Sequence, residues 1–336
     1  MEEVTPNKVR MQTYKEAYTF DYPMAIQFAE TQEDVFWGAN EIAVEKDVHD
    51  ILVNMTEAER HGVITTLKLF TLYELVAGNE YWGGRFKRMF PRHDIRQMAA
   101  TFAYTELGIH APFYNKINKA LNLDTDEFYT DYVNDPVLKE RMEFIDSMVD
   151  HKDDLVSLGA FSMVECAILY SSFAFLKHFQ ARGKNKLLNV VSGINFSVRD
   201  ENLHGEGGAW AFKQLLAEKL EAGHEVDVAE LQQCLVDVAH KLFEHESIII
   251  DKIFEKGEIE GVSADDMKKF VKGRLNICMS NLDMHPVFND TDSVTATWFY
   301  KDINMVKFGD FFVSVSSEYN RSWKEGGFKW RPNTNV

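Results

Sequence analysis

Cysteine and proline are scarce in this sequence of 336 residues. Cys166, Cys234 and Cys278 are the only cysteines, and they lie far apart. Their number and spacing exclude a disulfide framework and a CxxC zinc site, and they indicate a reducing, cytoplasmic compartment. The 7 prolines and 19 glycines rarely interrupt the apolar residues, which recur at intervals of three and four. That period is typical of long helices.

Positive charge is scarce as well. Lys and Arg number 36 against 53 Asp and Glu, so the formal net charge is -17. This balance excludes a surface that wraps nucleic acid or anionic lipid, because both require clustered positive charge. We expect soluble partners or small substrates instead.

Long apolar runs are also missing. No stretch approaches 18 uninterrupted apolar residues, and the acidic N-terminus has no apolar segment behind a basic one. We therefore expect neither a transmembrane helix nor a secretory signal. Hydrophobic residues nevertheless make up 45% of the chain, which is enough for a large core and excludes a disordered protein.

Four long stretches have the helical period. The first begins at Thr56, which precedes Glu59 by three residues in a capping-box arrangement, and it ends near a pair of glycines. The segment VTATWFY at 294–300 alternates too briefly to predict a sheet. The sequence therefore predicts an all-α fold. The four predicted helices lie at about 56–84, 92–120, 152–182 and 185–217.

Each predicted helix carries acidic or histidine residues within an apolar face, where an unpaired charge is unfavourable. Helix bundles that hold two metal ions use such an inventory, with a Glu from each of two helices and a Glu and His pair from each of the other two. Carboxylates can bridge two ions, and neutral imidazole supplies a terminal ligand. We therefore predict a di-metal carboxylate centre. Its candidate ligands are Glu74, Glu106, His110, Glu165, Glu201 and His204.

Several candidate ligands also have an ordinary structural explanation. A Glu-x-x-His pair such as Glu201 and His204 is common on helices that bind no metal. Glu165 alone fits a partly exposed helix acid, and Glu74 alone could extend to solvent. The joint order distinguishes the metal site from these explanations: a carboxylate, a carboxylate with His, a carboxylate, and a carboxylate with His, one group per helix.

The segments TLYEL, HAPFY, VECAI and VRDENLH resemble the small subunit of class I ribonucleotide reductase, and the resemblance covers most of the chain. It implies that all six candidates are metal ligands. It also implies a ferritin-like helix bundle with extra helices, in a single domain over 1–318 with core helices at about 57–217. A flexible tail at 319–336 would dock on the large subunit, and the chain would form a homodimer.

The resemblance further implies a function that depends on two metal ions. The site would activate dioxygen and oxidise Tyr114 to a stable radical. Trp37, Asp200 and Tyr319 would then carry the radical to the large subunit, which reduces ribonucleotides to deoxyribonucleotides. Many members have Asp where this chain has Glu74. Iron is favoured, and manganese or a mixed manganese and iron pair stays open.

Tyr114 follows His110 by four residues, which is about one helical turn. An apolar pocket would protect a radical on this phenol from quenching, and Phe113, Leu169 and Phe173 are its expected walls. Without the surrounding motifs, Tyr114 would be interpreted as an ordinary core tyrosine.

The spacing of one ligand pair departs from the family pattern. Glu106 and His110 are four residues apart where the family has three, with Gly108 between them and Pro112 just after. A single π-helical turn would absorb the additional residue and bring Glu106 to the metal. A regular helix would place Leu107 there instead.

Two other functions remain possible for the same ligands. A ferritin-like oxidase or oxygenase would act on a bound organic substrate, and it would not require Trp37, Tyr114 and a tyrosine-bearing tail together. An iron-storage protein would normally be a shorter chain, without a buried phenol beside the metal.

Overall fold

A computed structural model of the protein describes residues 8–301. Met1–Ala296 forms one compact unit, and a second unit starts at Thr297. Within 8–301 the chain is helical and contains no strand, which confirms the predicted all-α fold. Tyr319, the tail at 319–336 and the predicted boundary before it lie outside the described residues. They stay predictions.

The candidate ligands lie on four helices, three of which contain a π-helical middle segment. The bounds agree with the predicted helices to within a few residues. These helices are α2 (Glu57–Leu75, Val76–Phe86 and Lys87–Met89), α3 (His93–Thr105, Glu106–His110 and Ala111–Ala120), α6 (Asp154–Met163, Val164–Ile168 and Leu169–Lys177) and α7 (Leu188–Glu221). The surrounding helices are α1 (Pro23–Asp34), α4 (Asp126–Asn134), α5 (Pro136–Val149), α8 (Val228–Ile253) and α9 (Ala264–Asn281).

The ligand-bearing helices pack in pairs, α2 against α3 and α6 against α7. Helix α1 covers α3 and also contacts α7, while α8 and α9 pack against each other and against α6. The apolar faces of the four long helices are thereby turned inward around the candidate ligands.

Side-chain caps fix where two of these helices begin. Before α2, the Thr56 hydroxyl accepts the N–H of Glu59 at 3.2 Å, and the Glu59 carboxylate accepts the N–H of Thr56 at 3.0 Å. This reciprocal pair is the predicted capping box. Before α6, the Asp153 carboxylate accepts the N–H of Leu155 at 2.8 Å. Both caps satisfy donors that have no partner within the helix.

The π-helical turn expected between Glu106 and His110 is present. Its additional residue rotates the rest of α3, so that both side chains turn toward the bundle interior. Leu107 packs toward α2 instead, against Gly78. A Cβ added at Gly78 would lie 2.5 Å from Cγ of Leu107, so the close approach of the two helices requires glycine there.

Helix α6 is unusually apolar. Its stretch Asp154–Lys177 is long and apolar enough to cross a membrane, but its most apolar window is 100% buried inside the protein. A core helix of a bundle has the same properties, and this one supplies a candidate ligand at its centre.

Candidate metal centre

The six candidate ligands converge in the interior of the bundle, and each is at most 1% exposed. Their ligand atoms form two overlapping groups, and within each group all of these atoms lie within 4.8 Å of one another. The first group is Glu74, Glu106, His110 and Glu201, and the second is Glu106, Glu165, Glu201 and His204.

Glu106 and Glu201 belong to both groups. Glu106 places Oε2 2.9 Å from Nδ1 of His110 and Oε1 2.5 Å from Nδ1 of His204. Glu201 places its two oxygens 3.1 and 3.6 Å from the same two nitrogens. Each carboxylate therefore faces both histidines, which is the arrangement that two bridging carboxylates need. Glu74 and Glu165 each complete one group.

The far nitrogen of each histidine is held by a hydrogen bond. Nε2–H of His110 donates to Asp200 at 3.1 Å, because a carboxylate can only accept. Nε2–H of His204 donates to Oε1 of Gln32 at 3.1 Å. Both bonds leave Nδ1 free to face the carboxylates, and such outer partners fix the tautomer of a metal ligand.

Two indoles also contact this centre. Nε1–H of Trp37 donates to the Asp200 oxygen that His110 also contacts, at 2.7 Å. The predicted connection from Trp37 through Asp200 to His110 is thus present as hydrogen bonds. Nε1–H of Trp82 donates to Oε1 of Glu165 at 2.9 Å and leaves its other oxygen for the centre.

The chemistry of this donor set fits a pair of metal ions. Several of its buried atoms have no hydrogen-bond partner, among them both oxygens of Glu74, both oxygens of Glu201 and Nδ1 of His204. Burial raises the pKa of the Glu74 carboxyl well above its usual range, and the charge on Glu106 raises it further. Burial also raises the pKa of the Glu165 carboxyl well above its usual range, and the charge on Glu201 raises it further. Cations would offset this repulsion, since four carboxylates and two neutral imidazoles balance two divalent ions.

Tyr114 lies one turn beyond His110 and is fully buried. Its ring stacks on Phe70, with centroids 4.3 Å apart and planes 8° from parallel. The ring of Phe113 lies 5.1 Å away, as expected of a wall, whereas Phe173 stacks on Phe70 at 5.3 Å. Burial raises the pKa of the Tyr114 phenol well above its usual range, and the nearby Glu74 raises it further. The phenol is therefore neutral and shielded from bulk solvent.

Three residues of this site were not predicted from the sequence: Gln32, Phe70 and Trp82. Gln32 had a recognisable signal. It follows Ala25, Phe28 and Ala29 on the buried face of α1, where an amide is unexpected. Phe70 and Trp82 had none, since aromatic residues in long helices are usually core residues.

The helix bundle and its six buried donors define a ferritin-like di-metal carboxylate protein. The family model for the small chain of ribonucleotide reductase matches residues 15–295. The chain belongs to that family. The family membership predicted from the sequence motifs is confirmed.

Relatives and solved structures agree with this assignment. The chain is 25% identical over 307 residues to the ribonucleoside-diphosphate reductase subunit beta of Halalkalibacterium halodurans, covering 87% of this chain and 85% of that protein. It is 25% identical over 302 residues to the ribonucleoside-diphosphate reductase small chain 1 of Saccharomyces cerevisiae, covering 86% of this chain and 69% of that protein.

Two solved structures share the fold. The ribonucleotide reductase R2 subunit from Clostridium botulinum is similar with a TM-score of 0.74 and 20% identity, over 84% of this chain and 89% of that one. The dimanganese(II) NrdF of Streptococcus sanguinis is similar with a TM-score of 0.70 and 20% identity, over 83% and 95%.

Proposed function

We propose that this chain is the radical-generating small subunit of a class I ribonucleotide reductase, with Tyr114 as the radical residue. The observation that carries the proposal is the buried phenol of Tyr114 one helical turn beyond His110, whose ring is in turn connected to Trp37 through Asp200. A storage protein or an oxygenase does not require this combination. The oxygenase alternative is not favoured.

The six candidate ligands would hold two metal ions. The first ion would be held by Glu74, Glu106, His110 and Glu201. The second would be held by Glu106, Glu165, Glu201 and His204. When bound, the metal pair supplies oxidising equivalents obtained from dioxygen. Di-iron is the proposed form. Oxygen and imidazole donors also suit manganese, and the dimanganese neighbour has this fold, so loading with either metal belongs to the test.

The residues of the chain determine where the radical resides. Tyr114 gives up one electron and one proton, and the unpartnered carboxylate oxygens of Glu74 can accept that proton. Phe70 covers the face of the Tyr114 ring and keeps water away from it.

Transfer out of the site uses the hydrogen-bonded residues on the other side of His110. Asp200 orients His110 and accepts from Trp37, which places the indole at the start of the path. Tyr319 and the tail at 319–336 would complete the path to a cysteine of the large subunit. We also propose a homodimer in the cytoplasm. The three cysteines are free thiols, as expected of a reducing compartment.

Electron paramagnetic resonance of the reconstituted protein tests the proposal. Metal-free protein is loaded with ferrous iron and exposed to oxygen, and in parallel it is loaded with manganese and an oxidant. We expect a tyrosyl radical that Tyr114→Phe abolishes. Tyr81→Phe is the matched control, because Tyr81 is also fully buried with an unpartnered hydroxyl. Oxygen consumption with no radical under either loading would favour the oxygenase.

A further inference from the structure

Ser197 is a buried hydroxyl that its own helix does not satisfy. It lies inside α7, is 0% exposed, and its Oγ has no hydrogen-bond partner. A serine within a helix ordinarily faces solvent or bonds to the carbonyl four residues earlier. Ser197 does neither, so its hydroxyl is available to a neighbour on another helix.

The neighbour is Tyr114. Its phenolic oxygen is also buried without a hydrogen-bond partner. Hydrogen bonding from the Ser197 hydroxyl lowers the pKa of the Tyr114 phenol and so opposes the larger rise caused by burial. Two buried hydroxyls without a hydrogen-bond partner therefore lie beside the candidate metal centre, one on α3 and one on α7.

A close approach of α7 to α3 lies one turn from Ser197. Gly193 lies one turn before Ser197, and a Cβ added to it would lie 2.2 Å from the ring of Phe113. The glycine thus allows this part of α7 to approach the segment of α3 that carries Tyr114. Glu201, one turn after Ser197, holds the same face of α7 at the centre.

We propose that Ser197 is a positioning residue that donates a hydrogen bond to the phenolic oxygen of Tyr114 and persists as the donor when Tyr114 is a radical. The direction follows from chemistry. A neutral tyrosyl oxygen has lost its hydrogen and can only accept, while serine carries a hydrogen that rotates toward an acceptor. Tyr114 is then free to release its own proton toward Glu74. This inference rests on the proposed function.

The competing explanation is that α7 needs only a small residue at position 197. Alanine would then serve equally well. The variants that separate the two explanations are Ser197→Ala, which removes the donor, and Ser197→Thr, which retains it. Ser162→Ala is the matched control, since Ser162 is another buried serine without a hydrogen-bond partner, located on α6.

The first measurement is a crystal structure of the protein loaded with manganese(II) alone, which needs no radical. A distance of about 3.2 Å or less between Oγ of Ser197 and the phenolic oxygen of Tyr114 supports the proposal, because it is within hydrogen-bonding range. A distance above about 3.5 Å overturns it.

The second measurement is high-field electron paramagnetic resonance with electron-nuclear double resonance on the radical. We expect a hydroxyl proton coupling in the wild type, in Ser197→Thr and in Ser162→Ala. Ser197→Ala should lose this coupling, and its largest g value should rise. Metal content and the circular dichroism spectrum establish that each variant is folded and loaded.

The outcomes separate this inference from the proposed function. Identical spectra in the wild type and Ser197→Ala overturn the role of Ser197 while leaving the radical on Tyr114 intact. Absence of any radical in the wild type would defeat the proposed function, and the crystallographic distance would then decide the role of Ser197 by itself. If Ser197→Thr does not fold, Ser197→Ala and the distance still decide.

Discussion

The two histidine-bearing helices bring the same pair of residue types to the centre by different local structures. In α3, Glu106 and His110 are four residues apart on a π-helical turn. In α7, Glu201 and His204 are three residues apart on regular α-helix. Each pair nevertheless places its glutamate in both ligand groups and its histidine in one of them. The site requires that the Glu and His side chains of each pair point in the same direction. A π-helical turn achieves this at a spacing of four residues, and a regular α-helix achieves it at a spacing of three.

The helices also differ in how they hold their histidines. His110 donates to a carboxylate, Asp200, which in turn accepts from Trp37. His204 donates to the neutral amide of Gln32. His110 is therefore coupled to an indole through a charged group, whereas His204 is only oriented by a neutral amide. The predictions below test how far this difference extends.

The largest effect is expected from the ligands that both groups share. We expect Glu106→Ala to lose most of both metal ions, whereas Glu165→Ala should keep the ion of the first group, because Glu165 belongs to only one group. Metal content after loading with manganese(II) measures this. Glu206→Ala is the control, since Glu206 is exposed on α7. Equal losses from Glu106→Ala and Glu165→Ala would contradict the sharing.

The next effect concerns the two outer partners. Loss of a residue that orients a metal ligand typically lowers affinity or activity by about 10–100-fold. We expect Asp200→Ala to lower activity with the large subunit by about 100-fold even with both metals bound, since Trp37 also loses its partner. Gln32→Ala should lower metal affinity by about 10-fold and recover activity at saturating metal.

Activity assays at several metal concentrations distinguish the two variants. Asp200→Asn keeps the size of the side chain and serves as the conservative control. If Gln32→Ala stays as inactive as Asp200→Ala at saturating metal, the outer partners of the two histidines do not differ in their roles.

A smaller effect is expected where α7 touches α6. A Cβ added at Gly205 would lie 1.7 Å from the sulfur of Cys166. Overpacking of this kind typically destabilises by about 1–3 kcal/mol. We expect Gly205→Ala to lower the unfolding free energy of the metal-free protein by that amount, measured with urea. Adding Cys166→Ala should restore much of it, and failure of this rescue would place the strain elsewhere.

The smallest effect comes from His178, a buried histidine outside the centre. Burial lowers the pKa of His178 from 6.5 to about 4. His204 behaves in the opposite way: burial would lower its pKa, but Glu106 and Glu201 raise it to about 9. Below pH 6.5, His178 binds a proton in the unfolded chain but stays neutral in the folded protein until the pH approaches 4. Stability is therefore complete above pH 6.5, falls as the pH drops, and levels off below about 4.

This linkage amounts to about 1 kcal/mol of unfolding free energy between pH 7.5 and 5.5. Urea unfolding of the metal-free protein across this range measures it. His178→Phe should reduce the pH dependence by about that amount. An unchanged slope would mean that folding does not lower the pKa of His178.

Local sequence features predicted much of the molecule because they depend on nearby residues. The period of apolar residues located the four long helices, and the reciprocal pair at Thr56 and Glu59 located a helix start. The spacing around Glu106 left two alternatives open, a π-helical turn or a regular helix that would place Leu107 at the metal, and the structure has the π-helical turn.

Contacts between distant parts of the chain were not predictable in this way. Trp82 and Glu165 are 83 positions apart, and Gln32 and His204 are 172 apart. No periodicity encodes such pairs, because they depend on how whole helices pack. The same holds for Phe70, which stacks on Tyr114 from another helix.

The sequence by itself determined the helical fold, the inventory of four carboxylates and two histidines, and the family to which these belong. Only the tertiary structure decided which carboxylates face both histidines, which residues orient each imidazole, and which ring stacks on Tyr114. The physical reason is that residue type and period follow from the local chain. Distances of 3 Å between side chains on different helices depend on the packing of the whole bundle.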